Sequence, residues 1–195
     1  MMKNGFLIIL SGPSGVGKGT VRRKVMEDQS LNLVYSISMT TRKPRNQEVD
    51  GVDYFFVSDE EFDRNLASGN LLEWATFVGN RYGTPKDYVD KLRREGKNVI
   101  LEIEVEGATQ VMSKYQGSDV FSIFLIPPSF EALEQRIRGR RSESDEIIHE
   151  RLEKAKREMG LKYHYHHIVL NDDVDRAAEE IQGIIRSKIN SIIRK

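Results

Sequence analysis

The sequence predicts an α/β fold: three layers built on a central parallel sheet of about five strands, with a smaller inserted α/β lobe and a helical lid. Three observations carry this. Short continuous apolar runs, of the kind that buried parallel strands need, alternate with amphipathic helical stretches. The alternation is interrupted over residues 39–83 and 136–151. The first apolar run ends in a glycine-rich turn, and a charged helical segment follows it.

Phe6–Leu10 is the first strand, and the helix after the turn begins near Lys18. Similar strand runs recur at Leu33–Ser38, Asn98–Glu104, Val120–Ile126 and His167–Leu170. Within the first interruption, Asp53–Val57 reads as a strand. Ser58 with Glu61 forms a capping box that opens a short helix, and Gly79 with Asn80 makes a turn between strands. Thr84 as N-cap and Pro85 at the first helical position predict a helix over Pro85–Glu95 that stops at Gly96. Ser129 caps the next helix and places Leu133 and Ile137 on one face. Ile181, Ile184, Ile185, Lys188 and Ile192 recur at helical spacing, which predicts an amphipathic C-terminal helix that docks on the sheet. The chain then divides, within one domain, into a core (1–37, 86–130 and 156–195), a lobe (38–85) and a lid (131–155).

Composition narrows the function. The chain has 195 residues, with 30 Lys+Arg against 30 Asp+Glu and no cysteine. Without cysteine there is no disulfide, no Cys-ligated zinc and no thiol nucleophile. Balanced charge argues against a nucleic-acid partner, which calls for a basic surplus. The apolar run Phe6–Leu10 is shorter than the ~7–15 residues of a signal-peptide core or the ~20 of a membrane span. The expectation is a cytoplasmic globular protein with no membrane partner.

Gly12, Pro13, Ser14, Gly15, Val16, Gly17 and Lys18 follow a strand and open a helix, the context that a phosphate-binding P-loop requires. Gly15 and Gly17 let backbone N–H groups turn inward, the helix N-terminus adds partial positive charge, and Lys18 supplies a full one. The hydroxyl that normally follows the lysine is replaced by Gly19, with Thr20 next. Two arrangements are open: Thr20 contacts phosphate, or Mg²⁺ is held by nucleotide oxygens, water and a carboxylate. A second anchor is the loop Thr40, Thr41, Arg42, Lys43, Pro44, Arg45, where two arginines flank a proline as a stiff fork for an oxyanion.

The P-loop, the Ser38–Arg45 loop, Tyr54–Val57, Glu73–Ala75, Gly79–Thr84, Leu101–Val105 and Asn171–Asp173 together resemble the guanylate kinases. The resemblance runs in order from about residue 5 to about residue 190. It implies transfer of the ATP γ-phosphoryl group to GMP or dGMP, with Mg²⁺, in purine nucleotide metabolism. It assigns ATP to the stretch from Gly12 through Gly19 and Thr20, and to Asn171. It assigns the GMP phosphate to Arg42, Arg45, Tyr54 and Tyr82, and guanine to Ser38, Glu73 and Thr84 with Glu104 nearby. It gives the lid residues Arg136, Arg140 and Arg151 phosphate contacts, so that with Lys18 and Arg42 they form the catalytic set. Glu102 would hold the metal through water. Thr84 is thus both a helix cap and a base contact.

Chemistry independent of the resemblance supports Glu73. Guanine presents N1–H beside an exocyclic amine, and one carboxylate accepts from both. Adenine would leave that carboxylate unpaired, a mismatch that discriminates by roughly 10⁴. The cations also fit the load. ATP brings about four negative charges and GMP about 1.5–2, so the phosphate is already an ionised nucleophile and no general base is expected.

Gln47 stands where a loop glycine is usual in the family, Arg81 where tyrosine is, Glu106 where glutamine is and Arg141 where glycine is. Glu102 and Glu104 replace the commoner aspartates. Arg138 reads as a solvated residue with Glu partners, and Tyr163–His167, though rich in histidine, as the approach to a strand and not a metal cluster. Two rivals remain: a kinase of another mononucleotide on this scaffold, and a binding module that has lost catalysis.

Overall fold

The computed structural model describes residues 4–77, 79–115, 117–139 and 145–193. A parallel sheet forms from β1 (Leu7–Ser11), β2 (Leu33–Tyr35), β7 (Asn98–Glu102), β8 (Val120–Ile126) and β9 (His167–Leu170), ordered β2-β7-β1-β8-β9. The five apolar runs read from the sequence are these five strands. A second sheet forms from β3 (Met39–Thr40), β4 (Phe55–Phe56), β5 (Leu71–Phe77) and β6 (Asn80–Pro85), ordered β4-β3-β6-β5. In it β3 pairs with β4 parallel, and β6 pairs with β3 and β5 antiparallel.

Successive side chains of a strand point to opposite faces, so β1 feeds two cores at once. Ile8 and Leu10 pack with α1 (Lys18–Val25), α5 (Phe130–Arg138), α6 (Asp145–Met159) and α7 (Val174–Ile193). Leu7 and Ile9 pack on the other face, with α3 (Lys86–Arg94), α4 (Val105–Lys114) and Leu72 of β5. Burying each such side chain contributes about 1.5–3 kcal/mol, and all four are fully buried. The three-layer α/β reading therefore holds. A third, small cluster of Met39, Phe62 and Leu71 lies between the second sheet and α2 (Asp59–Ala67).

Local signals place most boundaries. Ser58 accepts from the Glu61 N–H and Ser129 from the Ala132 N–H, so both caps form. Leu133 and Ile137 are buried on one face of α5. Four boundaries differ from expectation: Asp53–Val57 is strand only at Phe55–Phe56, Asn98–Glu104 ends at Glu102 because Glu104 is the N-cap of α4, and two more lie at residues 36–38 and at Pro85. Leu33–Ser38 is strand only to Tyr35, because residues 36–38 carry the chain from the first sheet to the second. The helix expected from Pro85 begins at Lys86, with Pro85 as its N-cap and no side-chain cap. Thr84 lies within β6 instead, and its hydroxyl is used elsewhere. Among the described residues no helix is long and apolar enough to cross a membrane.

Candidate active site

The site starts at the carboxyl end of β1, where open α/β sheets leave a crevice for ligands. Gly15 and Gly17 have φ of 86° and 99°, in the left-handed region that favours glycine. A Cβ on Gly17 would also lie 2.8 Å from Asn171 Nδ2. The turn delivers Lys18 as the first residue of α1. Its Nζ donates to Gly12 O at 2.7 Å and Pro13 O at 3.3 Å, and lies 3.7 Å from Glu104 Oε1.

Arg136 of α5 and Arg151 of α6 brace this loop. Val16 O accepts from Asn171 Nδ2 at 2.7 Å and from Arg136 Nη1 at 3.1 Å, while Arg136 Nη2 donates to Asn171 O at 3.1 Å. Arg151 Nη2 donates to Ser14 Oγ at 2.7 Å. Asn171 Oδ1 is buried and has no partner among the described residues. Arg140 and Arg141 lie outside the described residues. Arg138 pairs with Glu134 and Asp145, as expected of a solvated position.

Glu102 lies beside Gly19, where the hydroxyl is missing. A Cβ on Gly19 would lie 3.3 Å from Glu102 Oε1. The other carboxylate oxygen accepts from Arg22 Nε at 2.7 Å, and that guanidinium stacks 3.8 Å over the Tyr35 ring. Thr20 is exposed, its hydroxyl accepting a long bond from Arg23 at 3.4 Å. One carboxylate beside the P-loop, completed by nucleotide oxygens and water, is a donor set that Mg²⁺ accepts. Among the described residues no group of three His, Cys, Asp or Glu could hold a metal by itself. His166 instead bonds Ser122, and Tyr165 is buried against Phe124.

The second anchor is assembled by a tight loop. Arg42 Nη1 and Nη2 reach Glu48 Oε2 and Oε1 at 2.9 and 2.8 Å, and Glu48 Oε2 also accepts from the Arg45 N–H at 2.7 Å. Hydrogen bonds from Arg42 and then from Arg45 hold the Glu48 carboxyl down at about 2. The Arg42 guanidinium lies 5.3 Å from the centre of the Tyr54 ring, and Tyr82 packs edge-on to Tyr54. Gln47 has φ 80°, so the backbone keeps the conformation that a glycine would favour. Arg81 points away from this cluster, bonding Asp59 at 2.6 Å and Asp63 on α2 and covering the Phe62 ring. The acidic residues of α2 thus account for arginine at this position.

Glu73 stands on β5, bonded to Thr84 of β6. It is only 7% exposed, and Thr84 Oγ1 donates to its Oε1 at 2.6 Å. Burial pushes its pKa above the usual carboxylate range, and the Thr84 bond offsets part of this. Glu106, exposed in the first turn of α4, adds to the upward push. Ser38, half-buried, leads into β3, and its carbonyl accepts from the Phe55 N–H. Glu104 turns to the cations: besides Lys18, Lys154 of α6 reaches its Oε2 at 3.1 Å. Burial pushes Glu104 up, but Lys18 and Lys154 outweigh it and hold its carboxyl below the usual range.

A short route connects these parts. Lys18 meets Glu104, the N-cap of α4, and Gly107 in the first turn of that helix lies against Glu73. Sequence alone includes Glu48 in the second anchor without a role and gives none to Lys154, Gly107 or Gln110. Glu48 carried a signal, an acid shortly after two arginines in a turn. The others touch the site through helix faces that no motif marks.

The guanylate kinase family model matches residues 4–188. A guanylate kinase of Mycoplasma mycoides is 53% identical over 94% of the chain and 61% of its own length. One of Malacoplasma penetrans is 52% identical, with 96% of the chain and 95% of the relative covered. The chain therefore spans about three fifths of the Mycoplasma relative and nearly all of the Malacoplasma one. The crystal structure of guanylate kinase from Anaplasma phagocytophilum superposes with a TM-score of 0.74 at 33% identity, covering 95% of this chain and 87% of that one.

Proposed function

Because this chain belongs to the guanylate kinase family, we propose that it transfers the γ-phosphoryl group of ATP to GMP, and to dGMP. One observation carries the reading furthest. A buried carboxylate, Glu73, is bonded by Thr84 in a fold that also carries two cationic clusters, one at Lys18 and one at Arg42. The clusters suit two phosphorylated substrates, and the carboxylate suits a base with adjacent N–H donors.

Lys18, Arg136, Arg151 and the P-loop N–H groups hold the ATP phosphates, with Arg140 completing the lid, and Asn171 lies by the adenine. Arg42, Arg45, Tyr54 and Tyr82 hold the GMP phosphate, and Ser38, Glu73 and Thr84 hold the guanine. A GMP phosphate oxygen attacks the γ-phosphorus as the bond to the ADP oxygen breaks, so GDP forms and ADP leaves. That oxygen is already ionised near neutral pH, so the residues align the two anions and stabilise charge, with no general base. Glu102 would hold Mg²⁺ through water, and the ion when bound would supply further charge neutralisation on the ATP phosphates. Residues 38–85 form the GMP-binding lobe, 131–155 the lid and the remainder the core.

The test is a panel of AMP, GMP, dGMP, IMP, UMP and dTMP with MgATP, read by ADP release. GMP is expected to have the highest kcat/KM. Better turnover of AMP, UMP or dTMP identifies a different mononucleotide kinase, and no ADP with any acceptor identifies a binding module.

A further inference from the structure

Glu73 stands on an irregular stretch of strand. β5 is the outer strand of its sheet, and its register against β6 shifts between Leu71, opposite Pro85, and Trp74, opposite Gly83. Leu72 and Glu73 together therefore face Thr84, as in a β-bulge. Bulges beside active sites re-aim side chains, but they also leave backbone groups outside the ladder.

Helix α4 supplies what the ladder does not. The Gln110 side-chain amide makes a two-way bond with the Trp74 backbone: the Trp74 N–H donates to Oε1 at 3.2 Å, and Nε2 donates to Trp74 O at 2.9 Å. One amide thus acts as a surrogate neighbouring strand at the residue after Glu73. On the other side of Glu73, Lys114 Nζ donates to Leu72 O at 3.2 Å. The peptides on either side of Glu73 are both tied to α4. Gly107 is on the same helical face as Gln110 and Lys114, at spacings of three and seven residues. A Cβ on Gly107 would lie 2.5 Å from Glu73 Oε2 and 3.1 Å from its Cδ, so the carboxylate occupies the space that this glycine leaves.

We infer that Gln110 and Gly107 are positioning residues that set the preference for a purine bearing a 2-amino group, by fixing the place and tilt of the Glu73 carboxylate. This rests on the proposed reading of Glu73 as the base contact. A carboxylate that accepts from N1–H and the 2-amino group together must be aligned to both. A purine without the amine uses one of those bonds and tolerates a looser carboxylate. Losing the α4 contacts therefore penalises GMP more than IMP, whereas general destabilisation penalises both alike.

The experiment compares wild-type protein with Gln110→Met, which keeps the length but loses the amide, and Gly107→Ala. Each is assayed with MgATP against GMP and IMP. In both variants the GMP/IMP ratio of kcat/KM is expected to fall about ten-fold or more, through KM for GMP, with KM for ATP unchanged. Thermal unfolding with ATP present establishes that each variant is folded. If wild type prefers GMP and a folded Gln110→Met keeps its ratio within about two-fold, the inference is overturned. If wild type itself shows no preference for GMP over IMP, the base-contact reading of Glu73 fails, and this inference with it.

Discussion

Glu48 closes on both terminal nitrogens of Arg42, at 2.8 and 2.9 Å, and takes the Arg45 N–H with the same carboxylate. A planar guanidinium bound in this bidentate way has its rotation fixed before any ligand arrives. The Tyr54 and Phe56 rings lie 5.3 and 5.7 Å from the same guanidinium and add to its fixing. Glu48→Gln removes the charge and half of the fork. KM for GMP is then expected to rise about ten-fold, as for loss of a charge-assisted bond, with KM for ATP unchanged. A lower KM for GMP would identify Glu48 as a competitor of the phosphate.

The same contact makes a contribution to acid stability. Glu48 titrates at about 2 in the folded chain against an ordinary 4.5, with Arg42 the main cause. The unfolded chain then binds more protons in this window, so the contribution is complete above 4.5 and is lost as pH falls toward 2. Urea unfolding across this range should show a shallower pH dependence for Glu48→Gln than for wild type. Parallel curves would show that the pair adds nothing.

Much of this architecture is legible in the sequence because its signals are local. Phe6–Leu10 announces a buried strand by composition, Ser58 and Ser129 announce helix starts, and Gly12–Lys18 announces a phosphate loop by spacing. Glu73 is legible through chemistry, a carboxylate beside apolar residues. What stays hidden is set by distant partners. Gln110 meets Trp74 across 36 positions and Arg151 meets Ser14 across 137, and no periodicity encodes such pairs. Thr84 shows the limit: the Thr-Pro pair reads as a cap, but the buried carboxylate opposite takes its hydroxyl.

Gln47 offers a test of backbone strain. Its φ of 80° costs a side-chain-bearing residue about 1–2 kcal/mol, while glycine brings an entropy penalty of about 0.5–1 kcal/mol. Gln47→Gly should therefore stabilise the fold by about 0.5–1 kcal/mol, a rise in Tm of roughly 1–4 °C for a chain this size. An unchanged or lower Tm would place the strain elsewhere in the loop.

Glu73 predicts a linkage between base binding and protons. Burial raises its folded pKa above the ordinary 4.5, so the folded chain holds its proton where the unfolded chain has lost it. Its contribution to stability is thus greatest at low pH and declines as pH rises through that raised pKa. Binding guanine demands the opposite state, since a protonated carboxyl cannot accept from N1–H and the 2-amino group together. Guanosine is the probe to use, because it lacks the phosphate that itself titrates near 6. Its affinity should strengthen as pH rises through the Glu73 pKa and level off above it. Calorimetry near that pKa should show proton release, as a heat that varies with the ionisation enthalpy of the buffer. Glu73→Gln should weaken guanosine binding, abolish the proton release and leave ATP affinity unchanged. Guanosine affinity that stays flat as pH rises above the ordinary 4.5, with no buffer-dependent heat, would mean that the base is read by other groups.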